Sequence, residues 1–279
     1  MPPIRSILSK QNPSLKQLRA LLLKPQSNTD RLVAIEGFHL LEEALASRVP
    51  VKTIFVAAGR ESTLDSLKIP SHIEILAVPA NILAAAVSTE APQPVAALIQ
   101  QPDWSWKSLL DLPNPLLVIL AGLQDPGNLG TILRSAEAFG STGAILLPGT
   151  VSPWNSKAMR ASAGSVFRLT ILHASAEQCF AQLDTAGIQS LAAMAHDAQP
   201  LDSFPLTGPL AFIIGSEGSG LAPEIAARCH HRVTIPCPGP VESLNAAVAA
   251  SILLYQAAQA RAVQDQPEQA RPAQARRSR

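Results

Sequence analysis

Three short apolar runs in the second half of the chain each stop at glycine, proline or small polar residues and then give way to a helix-compatible segment. Leu116 to Ala121 leads through a Gly-Pro loop into Asn128-Leu129-Gly130-Thr131-Ile132-Leu133-Arg134. Leu210 to Ile214 leads into Gly215-Ser216-Glu217-Gly218-Ser219-Gly220-Leu221, and Arg232 to Ile235 into Pro236-Cys237-Pro238-Gly239-Pro240-Val241-Glu242-Ser243-Leu244-Asn245. A strand apolar throughout is buried on both faces, and alternation with helices predicts an α/β fold with a parallel sheet. In such a sheet the carboxyl ends of the strands border the ligand crevice. The three loops are therefore the candidate walls of one site.

At 279 residues the chain is long enough for two domains. Only 4% of it is aromatic against 47% hydrophobic, so Ala, Leu, Val and Ile must fill the core. A formal charge of +1 neither supports nor excludes a nucleic-acid partner, because balance hides local clusters. Three cysteines without regular spacing argue against a disulfide framework and fit a reducing, cytoplasmic setting. Met1 to Lys10 lacks the apolar stretch of a signal peptide, and runs such as Leu116 to Ala121 fall far short of the ~20 residues that span a bilayer, so no membrane partner is expected.

The first 31 residues carry Arg5, Lys10, Lys16, Arg19, Lys24 and Arg31 against one acid, Asp30. Two readings stand: a solvated helix with basic flanks, or an arm that contacts RNA phosphates without sequence preference. Asn12-Pro13-Ser14 opens the helix, with Leu15, Leu18, Leu22 and Leu23 on its apolar face. Strands are predicted at 32–35, 51–57, 73–78 and 95–99, and helices at 37–48, 62–67 and 79–87. This is a small α/β domain with a largely parallel or mixed sheet, over 1–105. Prolines and the lack of an apolar period mark a linker, placed at 106–115, with Trp104 and Trp106 packing on a domain surface. A second domain follows over 116–260. Its helices are predicted at 129–139, 175–186, 223–229 and 242–260. Further strands are predicted at 143–147, 166–172 and 188–194, and Asn128 stands at an N-cap-like position. The Gln-, Ala-, Pro- and Arg-rich tail, 261–279, reads as disordered.

Each loop alone is a weak signal. Glycines after a strand let backbone approach a flat ligand, and they also merely make turns. Glu217 is either an ionisable group at the crevice or a helix-capping carboxylate. Arg134 either borders the crevice or is a surface charge pairing with Glu137. Pro236, Pro238 and Pro240 remove three backbone donors and stiffen the third loop into a wall, which suits holding a ligand at low entropic cost. Cys229, His230, His231 and Cys237 do not match zinc spacings, so no metal is expected. Cys179 and Cys229 read as buried small apolar residues, and His173 and His196 as structural.

Taken together, in this order and spacing, the segments resemble the three motifs of the SpoU (TrmH-type) RNA ribose 2′-O-methyltransferases of the SPOUT superfamily. The carriers are Asn128 and Arg134 in the first, Gly-x-Glu-Gly at Gly215 to Gly218 in the second, and proline followed by Ser243-Leu244-Asn245 in the third. The likeness spans Leu116 to Ala260, with Lys157 to Arg168 similar to the region between the first two motifs. Glu36-Gly37 before a Leu- and Glu-rich helix resembles the family's small substrate-binding domain. The resemblance implies a C-terminal SPOUT-type parallel sheet with a deep trefoil knot, preceded by a small α/β substrate-binding domain. It also implies a homodimer, S-adenosylmethionine as cofactor, and methyl transfer to a ribose 2′-hydroxyl of rRNA or tRNA. By position, Gly215, Ile235 and Leu244 would grip the cofactor with Ser216 and Pro236 as neighbours. Arg134 would act as base or electrostatic helper, and Asn128, Glu217, Ser243 and Asn245 would orient it and the ribose. The rivals are a non-catalytic RNA-binding protein that keeps the fold, and a dinucleotide enzyme on an ordinary doubly wound sheet. The second lacks its Gly-x-Gly-x-x-Gly turn.

Overall fold

Five strands of the first hundred residues assemble into one mixed sheet in a computed structural model that describes residues 2–24, 31–87 and 91–264. The elements are β1 (Ile4–Ser6), α1 (Pro13–Leu23), β2 (Leu32–Glu36), α2 (Phe38–Ala46), β3 (Val51–Ala57), β4 (Glu74–Val78), α3 (Ala80–Ala86) and β5 (Val95–Gln100). Their order is β1-β4-β3-β5-β2, with β4 parallel to β1 and β3, and β5 antiparallel to β3 and β2. Successive side chains of a strand face opposite ways. Ala34, Phe55, Leu76 and Leu98 pack in one cluster with α1 and α3, while their neighbours Val33, Ile35, Ile54 and Ile99 are buried as well. Both faces are therefore covered, which is why these strands read as unbroken apolar runs.

The basic N-terminal stretch is partly built into this sheet. Ile4–Ser6 forms an edge strand in register with Ile75, Leu76 and Ala77, and Arg5 pairs with Glu74 at 2.7 Å. Asn12 caps α1, its side chain accepting from Ser14 N at 2.9 Å, and Pro13 follows where a missing N–H costs nothing. The buried face is Leu15, Leu18, Leu21 and Leu22, whereas Leu23 is 62% exposed. At 100° per residue Leu21 sits about 60° from Leu18 on the buried side, and Leu23 turns about 100° away from Leu22. Leu21 thus replaces Leu23 in the expected stripe.

The second sheet is parallel throughout. In chain order come α4 (Trp106–Leu110), β6 (Leu116–Leu120), α5 (Pro126–Ala138), β7 (Gly143–Leu146), α6 (Ser156–Ser162), β8 (Thr170–His173), α7 (Ala176–Thr185) and β9 (Gln189–Ala193). Then follow β10 (Gln199–Pro200), β11 (Leu210–Ile214), α8 (Pro223–Arg228), β12 (His231–Thr234) and α9 (Ala246–Gln264). The strand order is β10-β12-β9-β11-β6-β7-β8, every pair parallel.

Four expectations change here. The segment read as a linker contains α4, capped by Ser105, whose Leu109 is fully buried with Trp106 and Leu110 against the second core. Residues 166–172 are not one strand: Ser165–Phe167 is a 3₁₀ turn and β8 begins only at Thr170. Val166 and Phe167 are buried, with Phe167 beside Trp154 at 6.4 Å, so the apolar run fills a core without joining the ladder. Helix α5 starts at Pro126, where proline is pre-organised for a first turn, and Asp125 rather than Asn128 supplies the cap. Helix α9 starts at Ala246, not Glu242, and runs to Gln264, so Arg261 is helical. Its guanidinium donates to the carbonyls of Asn114, Pro115, Leu206 and Gly208 at 2.7–3.3 Å. The remainder of the tail lies outside the described residues. Among the described residues no helix is long and apolar enough to cross a membrane.

By its contacts the chain divides into two compact units. One comprises 1–104, 124–134 and 151–169; the other comprises 105–123, 135–150 and 170–279. Within the first, Trp104 stacks on Trp154 (6.0 Å, 8° between planes), and α5 lies against α6. Gly130 makes that approach possible: a Cβ there would collide with the Ala158 carbonyl and come within 2.6 Å of Ala161 Cβ and 2.9 Å of Ser162 N. In an open helix Gly→Ala gains about 1 kcal/mol, but overpacking costs about 1–3 kcal/mol. Two of the three obstacles are backbone atoms, which cannot swing aside. Gly130→Ala should therefore destabilise the protein, seen as a lower urea midpoint at unchanged m-value; a raised midpoint would show that α5 has room to move.

Candidate functional site

The second unit holds a cleft of about 610 Å³ at the carboxyl ends of β9, β11 and β12. That volume falls in the ~300–1,000 Å³ range of small-molecule sites. Its walls are four stretches of chain: 193–197, 214–221, 233–237 and 241–244, with Ala246, Ala249 and Leu253 of α9 beneath. Parallel strands all leave the sheet at the same edge, so adjacent strands deliver their loops to one place.

The loop after β11 is a closed ring of backbone. Ser216 N donates to Gly220 O at 3.0 Å, and Gly220 N returns to Ser216 O at 3.1 Å. Ser219 N adds a bond to Ser216 Oγ at 3.3 Å. This folds Gly220 and Leu221 back over Gly215 so tightly that any Cβ on Gly215 would strike the Gly220 carbonyl and Leu221 N. Glycine is required there by close approach, while Gly220 adopts a φ of +66°. Glu217 and Gly218 are left exposed at the tip. Helix α8 is entered through Ala222, whose side chain makes no cap hydrogen bond, with Pro223 in its first turn.

The proline loop after β12 ends in a cap. Asn245 Oδ1 accepts from Ala247 N at 2.9 Å and Val248 N at 3.2 Å, and its carbonyl accepts from Ala249 N at 2.9 Å. Ser243 and Leu244 are thus still loop, contrary to the expectation that they enter the helix. The reason is that Asn at an N-cap satisfies donors that no earlier residue of this proline-rich stretch reaches.

Of the expected residues the cleft brings together Gly215, Ser216, Ile235, Pro236 and Leu244, with Glu217 and Ser243 beside them. Asn245 stands at its margin as the cap, followed by the lining Ala246. Asn128 and Arg134 belong to the first unit. There Asn128 is half-buried in the first turn of α5, its N–H donating to Asp125 Oδ1 at 2.8 Å, and Arg134 is exposed further along. Lys157 Nζ pairs with Asp125 at 2.9 Å, and this hydrogen bond, with that from Asn128, holds the Asp125 carboxyl below the usual carboxylate range.

Sequence reasoning missed the wall formed by Ala193 to Asp197, and read His196 as structural although it lines the cleft. The missing information was strand order: only once β9 is known to lie between β11 and β12 does its carboxyl end become part of the site. A weak sign was Asp197, which has a φ of +53° that few side chains other than Asn and Asp adopt.

The Cys-His group has other tasks. His230 Nδ1 lies 2.7 Å from Ser190 Oγ and accepts from Ser190 N at 3.1 Å, His231 packs on Phe204 at 5.0 Å, and Cys229 Sγ donates to Ile225 O at 3.4 Å. Burial pushes the Cys179 thiol up to about 12 and the Cys229 thiol up to about 11, so neither is a ready nucleophile. Among the described residues no group of three His, Cys, Asp or Glu could hold a metal ion.

Residues 115–255 match the SpoU rRNA methylase family, and residues 12–97 match an MRM3-like substrate binding domain. The 23S rRNA (guanosine(2553)-2′-O)-methyltransferase RlmP of Bacillus subtilis is 32% identical over 256 residues, covering 90% of this chain and 98% of that one. Among solved structures, the AdoMet-bound rRNA methyltransferase from Sinorhizobium meliloti is similar at a TM-score of 0.80 and 28% identity, covering 92% of this chain and 98% of that one. The SpoU methyltransferase AviRb from Streptomyces viridochromogenes in complex with AdoMet gives 0.79 and 27%, covering 90% and 99%. With a family model matched over 115–255 and a relative 32% identical over 90% of this chain, the chain belongs to the SpoU rRNA methylase family.

Proposed function

We propose that this protein transfers a methyl group from S-adenosylmethionine to a ribose 2′-hydroxyl of ribosomal or transfer RNA. The observation that carries the reading is that Gly215, Ser216, Ile235, Pro236 and Leu244, the positions expected to grip the donor, all line one cleft. AdoMet occupies the S. meliloti and AviRb relatives, which supports the same donor here.

The lining suits that ligand. Apolar Ile214, Val233, Ile235, Leu244 and Leu253 offer surface for a flat base, and exposed backbone on either side offers donors and acceptors. The charged side chains of the lining are Asp197, Glu217 and Glu242, without lysine or arginine among the described lining residues. Such a field favours a sulfonium cation and disfavours the phosphates of a dinucleotide, which call for cations. When bound, the donor supplies an electrophilic methyl group, taken up in line by the 2′-oxygen with release of a thioether.

The attacking hydroxyl must lose its proton as negative charge grows on oxygen. A guanidinium stays protonated in proteins, so Arg134 acts by holding that charge and the adjacent phosphate, and the proton passes to solvent water. Glu217 and Ser243 orient the ribose. Asn128 contributes through the first turn of α5, and Asn245 through the cap that fixes the exit of the proline loop. The 2′-hydroxyl is also what sets RNA apart from DNA as a substrate.

The N-terminal module, 1–105, serves as the RNA binder in this reading, joined through 106–115 to the catalytic half, 116–260; its match to a substrate binding domain supports this. Lys10, Lys16 and Arg19 are exposed and suit backbone phosphates, while Arg5 and Arg31 are engaged by Glu74 and Asp103. The family resemblance supports a deep trefoil knot in the catalytic half and a homodimer. Val248, Tyr255 and Val263, 45–58% exposed along α9, are the apolar surface a second copy would cover. Three free cysteines agree with a cytoplasmic setting.

Arg134→Ala should lower methyl transfer to RNA at least ~100-fold, the scale on which removing one transition-state donor acts. Its dissociation constant for S-adenosylmethionine, read by calorimetry, should stay within about twofold; retained turnover would remove Arg134 from the reaction. Lys16→Glu with Arg19→Glu should weaken RNA binding at physiological salt and flatten the dependence of log K on log salt by about 1 or more, since each lost phosphate contact removes ~0.7–0.9. An unchanged slope would leave α1 a solvated helix.

A further inference from the structure

Helix α2 of the N-terminal module meets the segment after α6 through polar contacts of Arg168. Arg168 Nη1 donates to Glu43 Oε2 and lies 3.3 Å from Ser47 Oγ at the end of α2. The Glu43–Arg168 pair is more enclosed than Arg5–Glu74, Arg31–Asp103, His39–Glu42 and Lys157–Asp125, with side chains 24% and 37% exposed against 41–90% in those four. The backbone has been shaped for it. Helix α6 ends in two successive left-handed residues, Ala163 (φ +47°) and Gly164 (φ +87°), and Glu43 lies across Gly164 so closely that a Cβ there would fall 2.8–2.9 Å from Glu43 Cγ and Cβ. A non-glycine residue in the left-handed region is uncommon and strained, so the sharp turn at Ala163 is held by its surroundings.

From this contact a continuous path leads to the first motif. Arg168 follows the 3₁₀ turn whose Phe167 packs on Trp154, and Trp154 stacks on Trp104 at the end of the N-terminal module. Helix α6 then touches the first turns of α5 twice: Lys157 pairs with the capping Asp125, and Ala158, Ala161 and Ser162 lie against Gly130. All of these residues, with Asn128 and Arg134, belong to the same compact unit as the N-terminal sheet.

We propose that Glu43 and Arg168 are positioning residues for methyl transfer. Their ion pair fastens the RNA-binding module to the α6–α5 pair, so that RNA held by the module is held in register with the helix that carries Arg134. The inference rests on the methyltransferase reading above and deepens it. It makes the coupling within this unit, rather than the donor cleft, the place where substrate binding is turned into alignment. A displacement of a reacting group by about 1 Å is enough to cost ~100-fold in rate.

The test uses the full-length protein, tritiated S-adenosylmethionine and total RNA from cells lacking the gene. Glu43→Ala and Arg168→Ala should each lower kcat at saturating RNA ten- to hundredfold, with KM for S-adenosylmethionine within twofold. The swap Glu43→Arg with Arg168→Glu should return kcat to within about fivefold of wild type. Amide hydrogen exchange over 126–134 and 156–162 should rise in both single variants and fall back in the swap, while 189–193 and 210–214 stay protected. Unchanged kcat in the single variants would overturn the proposal. So would a loss of donor affinity in step with rate, a swap no better than the singles, or unaltered exchange in α5 and α6. A wild-type protein inert on RNA would instead overturn the methyltransferase reading, and the exchange measurement would still decide the coupling.

Discussion

Everything at the cleft depends on β11 being hydrogen-bonded on both sides. Leu210 to Ile214 run in register with Leu116 to Leu120 of β6 and, over Leu210 to Ile213, with Gln189 to Ala192 of β9. Ile214 O still accepts from Ala121 N at 2.9 Å, and after it the ladder is spent. A central strand has no free edge, so the chain leaves only at its end. There the ring from Ser216 to Gly220 supplies the backbone bonds that the sheet no longer offers. Gly215 is the hinge of that exchange, since the returning chain occupies the space of a side chain. Because β9, β11 and β12 point the same way, the loops after them open on a common edge, and a cleft follows from the pairing itself.

What the sequence made legible was local. Apolar runs broken by glycine or proline placed most strands within a residue or two, and the five expected residues that line the cleft were readable because each lies in or beside a loop of unusual composition. What it hid was of two kinds. Sheet order is a long-range fact, and without it the stretch Ala193 to Asp197 had no visible reason to meet Gly215. Competition among local signals was the other. Pro126 and Asp125 together outbid Asn128 for the start of α5, and Asn245 captured the start of α9 from Glu242. In the run from Val166 to Leu169, burial beside Trp154 answers the same apolar pattern that a strand would have answered. The three residues of β1 were too short to show a period.

Those caps bear on how the motif residues divide their work. A loop with prolines at 236, 238 and 240 is stiff but poor in donors, so its rigidity is useful only if its far end is tied down. Asn245 ties it, with Oδ1 committed to two backbone N–H groups of α9. Its place in the motif therefore has a structural cause before any chemical one, and truncating it removes a cap along with whatever it presents to a substrate. Ser243, exposed and still in the loop, carries no such burden.

Arg134 represents the opposite arrangement. Its side chain is long and exposed, so any precision in the role proposed for it would have to come from the helix beneath it. Helix α5 has that precision at its start, where Asp125 caps it, Lys157 grips the cap and Gly130 lets α6 lie directly on its backbone. The cap ties a side chain to backbone, the Lys157 pair ties two side chains, and at Gly130 backbone meets backbone. In the proposed transfer the long side chain of Arg134 would reach the growing charge, while these contacts hold the start of the helix that carries it.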